Sequence, residues 1–238
     1  MSTIDLLRGV TTATLAMQLL KRGLRAVAMR GPMPLVAGPG IRLVGPAFTL
    51  RYVPMREDLS TPERLGRADN AGRRAMEETP PGAVLVIDAR GETGCGVMGD
   101  ILALRLKVRG VAGIVTDGAV RDAEGLAAIG LPCWCAGAAA PASIGGHCAA
   151  DTGAVIACGG VAVVPGDMIV ADGDGAIVIP QALAEEVARD GAEQERLERF
   201  IHRRIAGGRP LPGTYPPNEE TMADYRAWLT AGEPDSLA

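Results

Sequence analysis

The stretch AVLVID (83–88), ARGETGCGVMG (89–99), DILALRLKVRG (100–110), VAGIVTD (111–117), GAVRD (118–122), AEGLAAIG (123–130), LPCWCAG (131–137) decides the fold. Its first run is short and continuously apolar, as in strands buried on both faces of a parallel sheet. A glycine-rich loop, a helix-length segment, a second apolar run, a polar loop, a second helix and a third apolar run follow. The order is βαβαβ, an α/β unit whose ligands are expected at the C-terminal ends of its strands.

Upstream, TTATLAMQLLKR (11–22) has apolar residues at helical spacing behind threonine caps. LVAG (35–38) and RLVGPAFTLRYV (42–53) read as strands, and 62–78 returns to helix. Downstream, TGAVIACGGVAVVPGDMIVADGDGAIVIP (152–180) offers four short strands separated by GG, PGD and DGDG, a β-meander. A helix of roughly 25 residues is expected from near Gln181, and the Pro-rich tail ends in a short amphipathic helix. The expected division is a main domain over 1–205 and a C-terminal extension over 206–238.

The chain has 238 residues, 47% of them hydrophobic and only 3% aromatic, so small aliphatic side chains must fill its core. A formal net charge of -4 argues against a nucleic-acid partner, which requires a basic surface. No leader-like or membrane-length apolar segment is evident, and a cytoplasmic protein is expected. Cys95, Cys133, Cys135, Cys148 and Cys158 form no C-x-x-C pair, and His147 and His202 are the only histidines, which makes structural zinc a poor fit. The cysteines read as buried small hydrophobes.

Gly94 to Gly99 spell G-x-G-x-x-G, yet a dinucleotide turn needs its first glycine directly after the strand, and Ala89 to Thr93 intervene. The loop still feeds a helix start near Asp100, where free amides suit a carboxylate or phosphate; a plain helix cap is the competing reading. Arg121 has the donor geometry to hold a carboxylate and Asp122 the oxygen to hold a hard cation, while a solvated Arg–Asp pair would look the same in sequence. Asp172-Gly173-Asp174-Gly175 lacks the glutamate of a calcium loop, since Leu183 stands there, and reads as a hairpin turn. Glu193, Glu195 and Glu198 fall on the charged face of the long helix. No serine elbow supports a hydrolase triad, and Lys21 and Lys107, the only lysines, give little basis for Schiff-base chemistry.

GDILALRLKVRGVAGIVTDGAVRD (99–122), continued by GLPCWCAG and later VVPGDMIVADGDGAIVIP, resembles the family of 4-hydroxy-4-methyl-2-oxoglutarate aldolases and the related regulator of ribonuclease activity A. The resemblance spans about residues 30–205. It implies a compact β/β/α swivelling-domain-like (RraA-like) fold, assembled as a homotrimer or hexamer with sites between subunits. It further implies that backbone at Gly99, Asp100, Ile101 and Leu102 receives the substrate carboxylate, that Arg121 binds the oxo acid, and that Asp122 holds Mg²⁺ or Mn²⁺. Catalysis would rest on Asp100, Arg121 and a glutamate from the neighbouring subunit, matched to Glu198 with Glu195 in reserve.

The implied reaction is class II aldol cleavage of a 4-hydroxy-2-oxo acid, of the 4-hydroxy-4-methyl-2-oxoglutarate or 4-carboxy-4-hydroxy-2-oxoadipate type, to pyruvate and a second oxo acid. Oxaloacetate decarboxylation would accompany it. Two alternatives stand beside this reading: a non-enzymatic regulator of a ribonuclease or helicase, and a metal-dependent dehydratase or decarboxylase of a sugar-derived acid. The regulators resembled carry a non-acidic residue where this chain has Asp122, which favours the enzyme.

Overall fold

The computed structural model describes residues 1–233. Two short helices open the chain, α1 (Thr3–Arg8) and α2 (Thr12–Lys21). Ser2 and Asp5 form a capping box on the first, and the Thr11 hydroxyl caps the second. Strands β1 (Met33–Pro34) and β2 (Leu43–Pro54) follow, then helices α3 (Pro62–Gly66) and α4 (Ala71–Glu78). The central unit is β3 (Val84–Asp88), α5 (Asp100–Val108), β4 (Gly113–Thr116), β5 (Ala119–Val120), α6 (Ala123–Ile129) and β6 (Cys133–Cys135). Then come β7 (Gly137–Ala138), β8 (His147–Thr152), β9 (Ile156–Cys158), β10 (Val161–Val163), β11 (Met168–Asp172), β12 (Gly175–Ile179), α7 (Ala184–Ala206) and α8 (Glu219–Thr230).

The main sheet runs β1-β6-β4-β3-β2-β11-β12, with β8 also on β2. Its centre, β6-β4-β3-β2, is parallel, and the flanks are antiparallel. All residues of β3 and β4 are buried, as a strand covered on both faces requires. On one side α4, α5 and α6 pack over Leu50, Leu85, Ile87 and Ile114. Trp134 projects into the other layer with Val86, Val115 and Ile169, its indole N–H donating to Asp172 O at 2.8 Å. A third cluster joins α1, α2 and α7 to β11 and β12 through Leu15, Leu19, Val170 and Val187. The mixed α/β architecture is the one expected.

Several local expectations need correction. Residues 35–38 are not a strand: Leu35 N bonds Cys133 O at 2.8 Å beside the two-residue β1, after which the chain bends away. The 62–78 helix is broken in two, because Asn70 turns its side-chain oxygen to the amides of Gly72 and Arg73 and starts α4 afresh. The four late strands exist but are two hairpins in different sheets, not one meander: β9 pairs β10, while β11 and β12 extend the main sheet. Asp172 and Gly175 close the second hairpin, as its turn signal indicated. β5 is a short strand within what reads as a loop, and β8 has no counterpart in the sequence reading.

The long helix forms as expected, and α8 packs on it through Phe200, Ile201, Tyr225 and Trp228. All five cysteines are free, Cys148 half-buried and the rest buried. Among the described residues, no helix is long and apolar enough to cross a membrane.

Candidate active site

The loop after β3 and the loop after β4 are stitched together by backbone bonds at the C-terminal edge of the parallel strands. Val97 N donates to Ala119 O at 2.9 Å, Arg121 N to Met98 O at 2.8 Å, and Gly96 N to Pro141 O at 2.9 Å. This stitching allows no side chain at Gly96, where a β-carbon would lie 2.6 Å from Arg121 N and 2.7 Å from Arg121 Cβ. The G-x-G-x-x-G pattern is therefore a close-packing device that seats Arg121 beside the start of α5.

Gly99 is the N-cap of α5 and supplies no side-chain cap. Among the described residues, the amides of Asp100 and Leu102 have no acceptor, whereas Ile101 N meets the Asp100 carboxylate at 2.7 Å. Free first-turn amides and the helix dipole make this a place for an anion. The Asp122 carboxylate faces the same spot: a β-carbon on Gly99 would sit 2.8 Å from Asp122 Oδ2. Asp100 packs against α6, where a β-carbon on Gly125 would lie 3.0 Å from Asp100 Cβ and 3.1 Å from its Oδ2. Gly99, Asp100, Ile101, Leu102, Arg121 and Asp122 thus converge.

Arg121 Nε donates to Asp122 Oδ2 at 3.1 Å, and both side chains are about 40% exposed, so the solvated pair is real in the free chain. A second feature sets Asp122 apart from an ordinary surface partner. It caps α6 in the left-handed region, φ 54° and ψ 42°, without making a side-chain cap bond. Non-glycine residues rarely adopt this conformation, although aspartate tolerates it best.

The oxygen donors fit a small hard cation better than a thiophilic or caged one. Magnesium is commonly held by one or two carboxylates, with waters and substrate filling its other positions. Asp122, with Asp100 nearby, supplies that set. Among the described residues no group of three or more His, Cys, Asp or Glu side chains could enclose a metal.

The C-terminal glutamates lie elsewhere in the chain. Glu195 accepts the Thr11 N–H at 2.8 Å and the Thr11 hydroxyl at 2.7 Å, tying α7 to the start of α2. Burial pushes its carboxyl upward, but the bonds from Thr11 and Thr14 outweigh this and leave it below its usual range. The reserve glutamate is therefore engaged in holding the fold. Glu198 accepts from Gln194 at 2.8 Å and lines a cavity of about 590 Å³ between α2, α7 and the tail. That cavity includes neither Arg121 nor Asp122.

Asp117, the residue after β4, has a role that sequence reading missed. Its carboxylate is 6% exposed and accepts three amides: Ala89 at 2.7 Å, Gly91 at 3.1 Å and Gly159 at 3.1 Å. It clamps the tight turn that begins the loop after β3 to the β9–β10 turn. Asp88, at the end of β3, accepts from Arg90 N and Ala157 N. Burial first, and the neighbouring Asp117 charge, raise its carboxyl despite those bonds. Beside it Arg90 donates to Gly146 O at 3.0 Å and faces His147 Nδ1 at 3.1 Å. His147 is 1% exposed, and its Nε2 has no partner among the described residues. Burial and then Arg90 lower its pKa.

A family model described as Aldolase/RraA, RraA-like, matches residues 12–178. A protein of Halalkalibacterium halodurans provisionally named 4-hydroxy-4-methyl-2-oxoglutarate aldolase is 37% identical over 169 residues, covering 67% of this chain and 72% of that one. The crystal structure of Streptomyces coelicolor RraAS2, titled an unusual member of the RNase ES inhibitor RraA family, superposes with a TM-score of 0.75. It is 36% identical over 84% of this chain and 95% of its own. An uncharacterized protein from Pseudomonas syringae gives a TM-score of 0.78 at 28% identity, covering 90% of this chain and 92% of its own.

Proposed function

The chain belongs to the RraA-like family, and from that premise we propose that it is a divalent-metal-dependent carbon–carbon lyase, cleaving a 4-hydroxy-2-oxo acid to pyruvate and a second oxo acid. The observation that carries the reading is the convergence of the α5 amides, the Arg121 guanidinium and the Asp122 carboxylate on one spot. An anion seat beside a guanidinium and a hard oxygen donor suits a 2-oxo carboxylate. The name of the Halalkalibacterium relative points the same way.

The free amides of Asp100 and Leu102 bind a substrate carboxylate, and the Arg121 fork binds the oxo-acid end, fixing the scissile bond. Asp100 orients the water that takes the proton from the 4-hydroxyl oxygen. As that oxygen becomes a carbonyl, the C3–C4 bond breaks and its electron pair passes into pyruvate enolate. Arg121 stabilises the enolate charge, and protonation at C3 yields pyruvate. A bound Mg²⁺ or Mn²⁺, held through Asp122, would supply Lewis-acid stabilisation of the same oxygens. Loss of CO₂ from oxaloacetate gives the same enolate, so decarboxylation belongs to the proposal.

The site is open on its outer side. Ile101, Leu104 and Val108 form an exposed apolar stripe on α5, 78%, 50% and 71% exposed. Such a stripe beside an incomplete site supports assembly with further copies, as a trimer or hexamer, with Glu198 of a neighbouring copy entering the site.

The test is a coupled pyruvate assay on 4-hydroxy-4-methyl-2-oxoglutarate, 4-carboxy-4-hydroxy-2-oxoadipate and oxaloacetate. Release should depend on Mg²⁺ or Mn²⁺ and fall at least about 100-fold in Arg121→Ala and in Asp122→Ala, the loss expected for one transition-state contact. Full activity in EDTA would overturn the proposal.

A further inference from the structure

A second cleft, of about 540 Å³, opens on the far side of Asp117, between the turn at 89–92 and the turn at 158–161. Arg30 and Arg90 line it above a floor containing Asp88 and Asp117. Nothing in the proposed lyase chemistry uses these residues.

Most arginines in this protein pair with a carboxylate, yet neither Arg30 nor Arg90 forms an ion pair among the described residues, although two carboxylates share their cleft. Among the described residues, the Arg30 side chain has no hydrogen-bond or ion-pair partner. Arg90 is held in place: it occupies a left-handed position in the turn, φ 63°, and a single terminal nitrogen, Nη2, meets Gly146 O and His147 Nδ1. Its Nε and Nη1 have no partner among the described residues.

The two floor carboxylates differ in what they have left to offer. Asp117 already accepts three amides and holds both turns. Asp88 accepts two, one of them at 3.3 Å, and an ionised carboxylate has about four acceptor positions. The cleft therefore presents two unneutralised guanidiniums and one carboxylate with acceptor capacity. A dianion such as sulfate would meet repulsion from both aspartates and has no proton to give Asp88. A monoanion carrying its own hydroxyl would satisfy both sets of groups.

We propose that this cleft is a binding site for a small hydroxy acid, with Arg30 and Arg90 holding the carboxylate and Asp88 accepting the hydroxyl proton. It is separate from the Arg121–Asp122 site and does not depend on the lyase reading.

Saturation-transfer NMR with glycolate, on the full chain carrying Arg121→Gln in EDTA, tests this without any turnover and with the α5 carboxylate seat disabled. Saturable binding is expected in that background, at least tenfold weaker when Arg30→Gln or Arg90→Gln is added, and not displaced by equimolar sulfate. Arg30→Gln is decisive because that side chain makes no bond the fold needs. Absence of saturable binding in that background, undiminished binding when Arg30→Gln is added, or equal displacement by sulfate would overturn it.

Discussion

Asp117→Asn removes one oxygen from a clamp that has none to spare. The carboxylate uses Oδ1 for Ala89 N and Oδ2 for Gly91 N and Gly159 N, in a place 6% exposed. An amide can put its oxygen on only one side. Facing the two glycines, it turns an NH₂ group toward the Ala89 N–H, so that donor meets donor. The lost charge-assisted bond contributes about 1.5–3 kcal/mol, and a buried unpaired amide costs about 1–3 kcal/mol more. Removing a buried charge next to Asp88 offsets part of this. The net expectation is a loss of about 2–4 kcal/mol, or roughly 5–15 °C in Tm for a chain of this size. Urea unfolding followed by tryptophan fluorescence measures it, with Trp134 reporting the sheet and Trp228 the α7–α8 pair. Protomer concentration must be held constant, because assembly would shift the apparent stability. A change under about 0.5 kcal/mol would refute the clamp, since surface substitutions stay within that range.

Gly96→Ala forces a β-carbon to within 2.6 Å of Arg121 N, so Arg121 must move. Pyruvate release should fall at least about tenfold, as misplacement of a binding group by about 1 Å can cost 100-fold; unchanged turnover would separate that stitching from the site. His147 has a lowered folded-state pKa, so the unfolded chain binds the extra proton first and stability falls as pH drops below about 6.5 toward the folded-state value. His147→Gln should remove that part of the slope in denaturation curves from pH 8 to 5, and a slope identical to wild type would contradict the assignment. Leu104→Lys combined with Val108→Lys should leave the fold within about 0.5 kcal/mol, because both positions are exposed, yet shift sedimentation toward the monomer. An unshifted assembly would move the interface elsewhere.

The βαβαβ core was legible because its signals are local. The runs at 84–88 and 113–116 are buried on both faces, and no other element explains continuous Val and Ile between glycine loops. Caps were legible for the same reason, as at Thr11. What could not be read depends on partners far along the chain. Asp117 holds amides 26, 28 and 42 residues away, and to the sequence it is only an acid at a strand end. Which sheet a hairpin joins is equally non-local, so GG and DGDG marked turns correctly while the single meander was wrong. Asn70 was a visible cap signal inside the 62–78 segment and was available to the eye.

The left-handed backbone at Asp122 joins site and fold. A non-glycine residue there costs on the order of 1 kcal/mol, and no side-chain cap bond compensates. Glycine would remove the strain, and the next turn in the chain to adopt this conformation, at Gly130, does use glycine. The aspartate's contribution must therefore lie in where its carboxylate points, and it points toward the Gly99 amide start, beside Arg121. A carboxylate serving only as partner to Arg121 could sit on relaxed backbone, as Asp58 does for Arg56 and Asp69 for Arg67. We propose that the strain is kept because this carboxylate, with Asp100 nearby, faces the free α5 amides beside Arg121, the place where the proposed cation would be held.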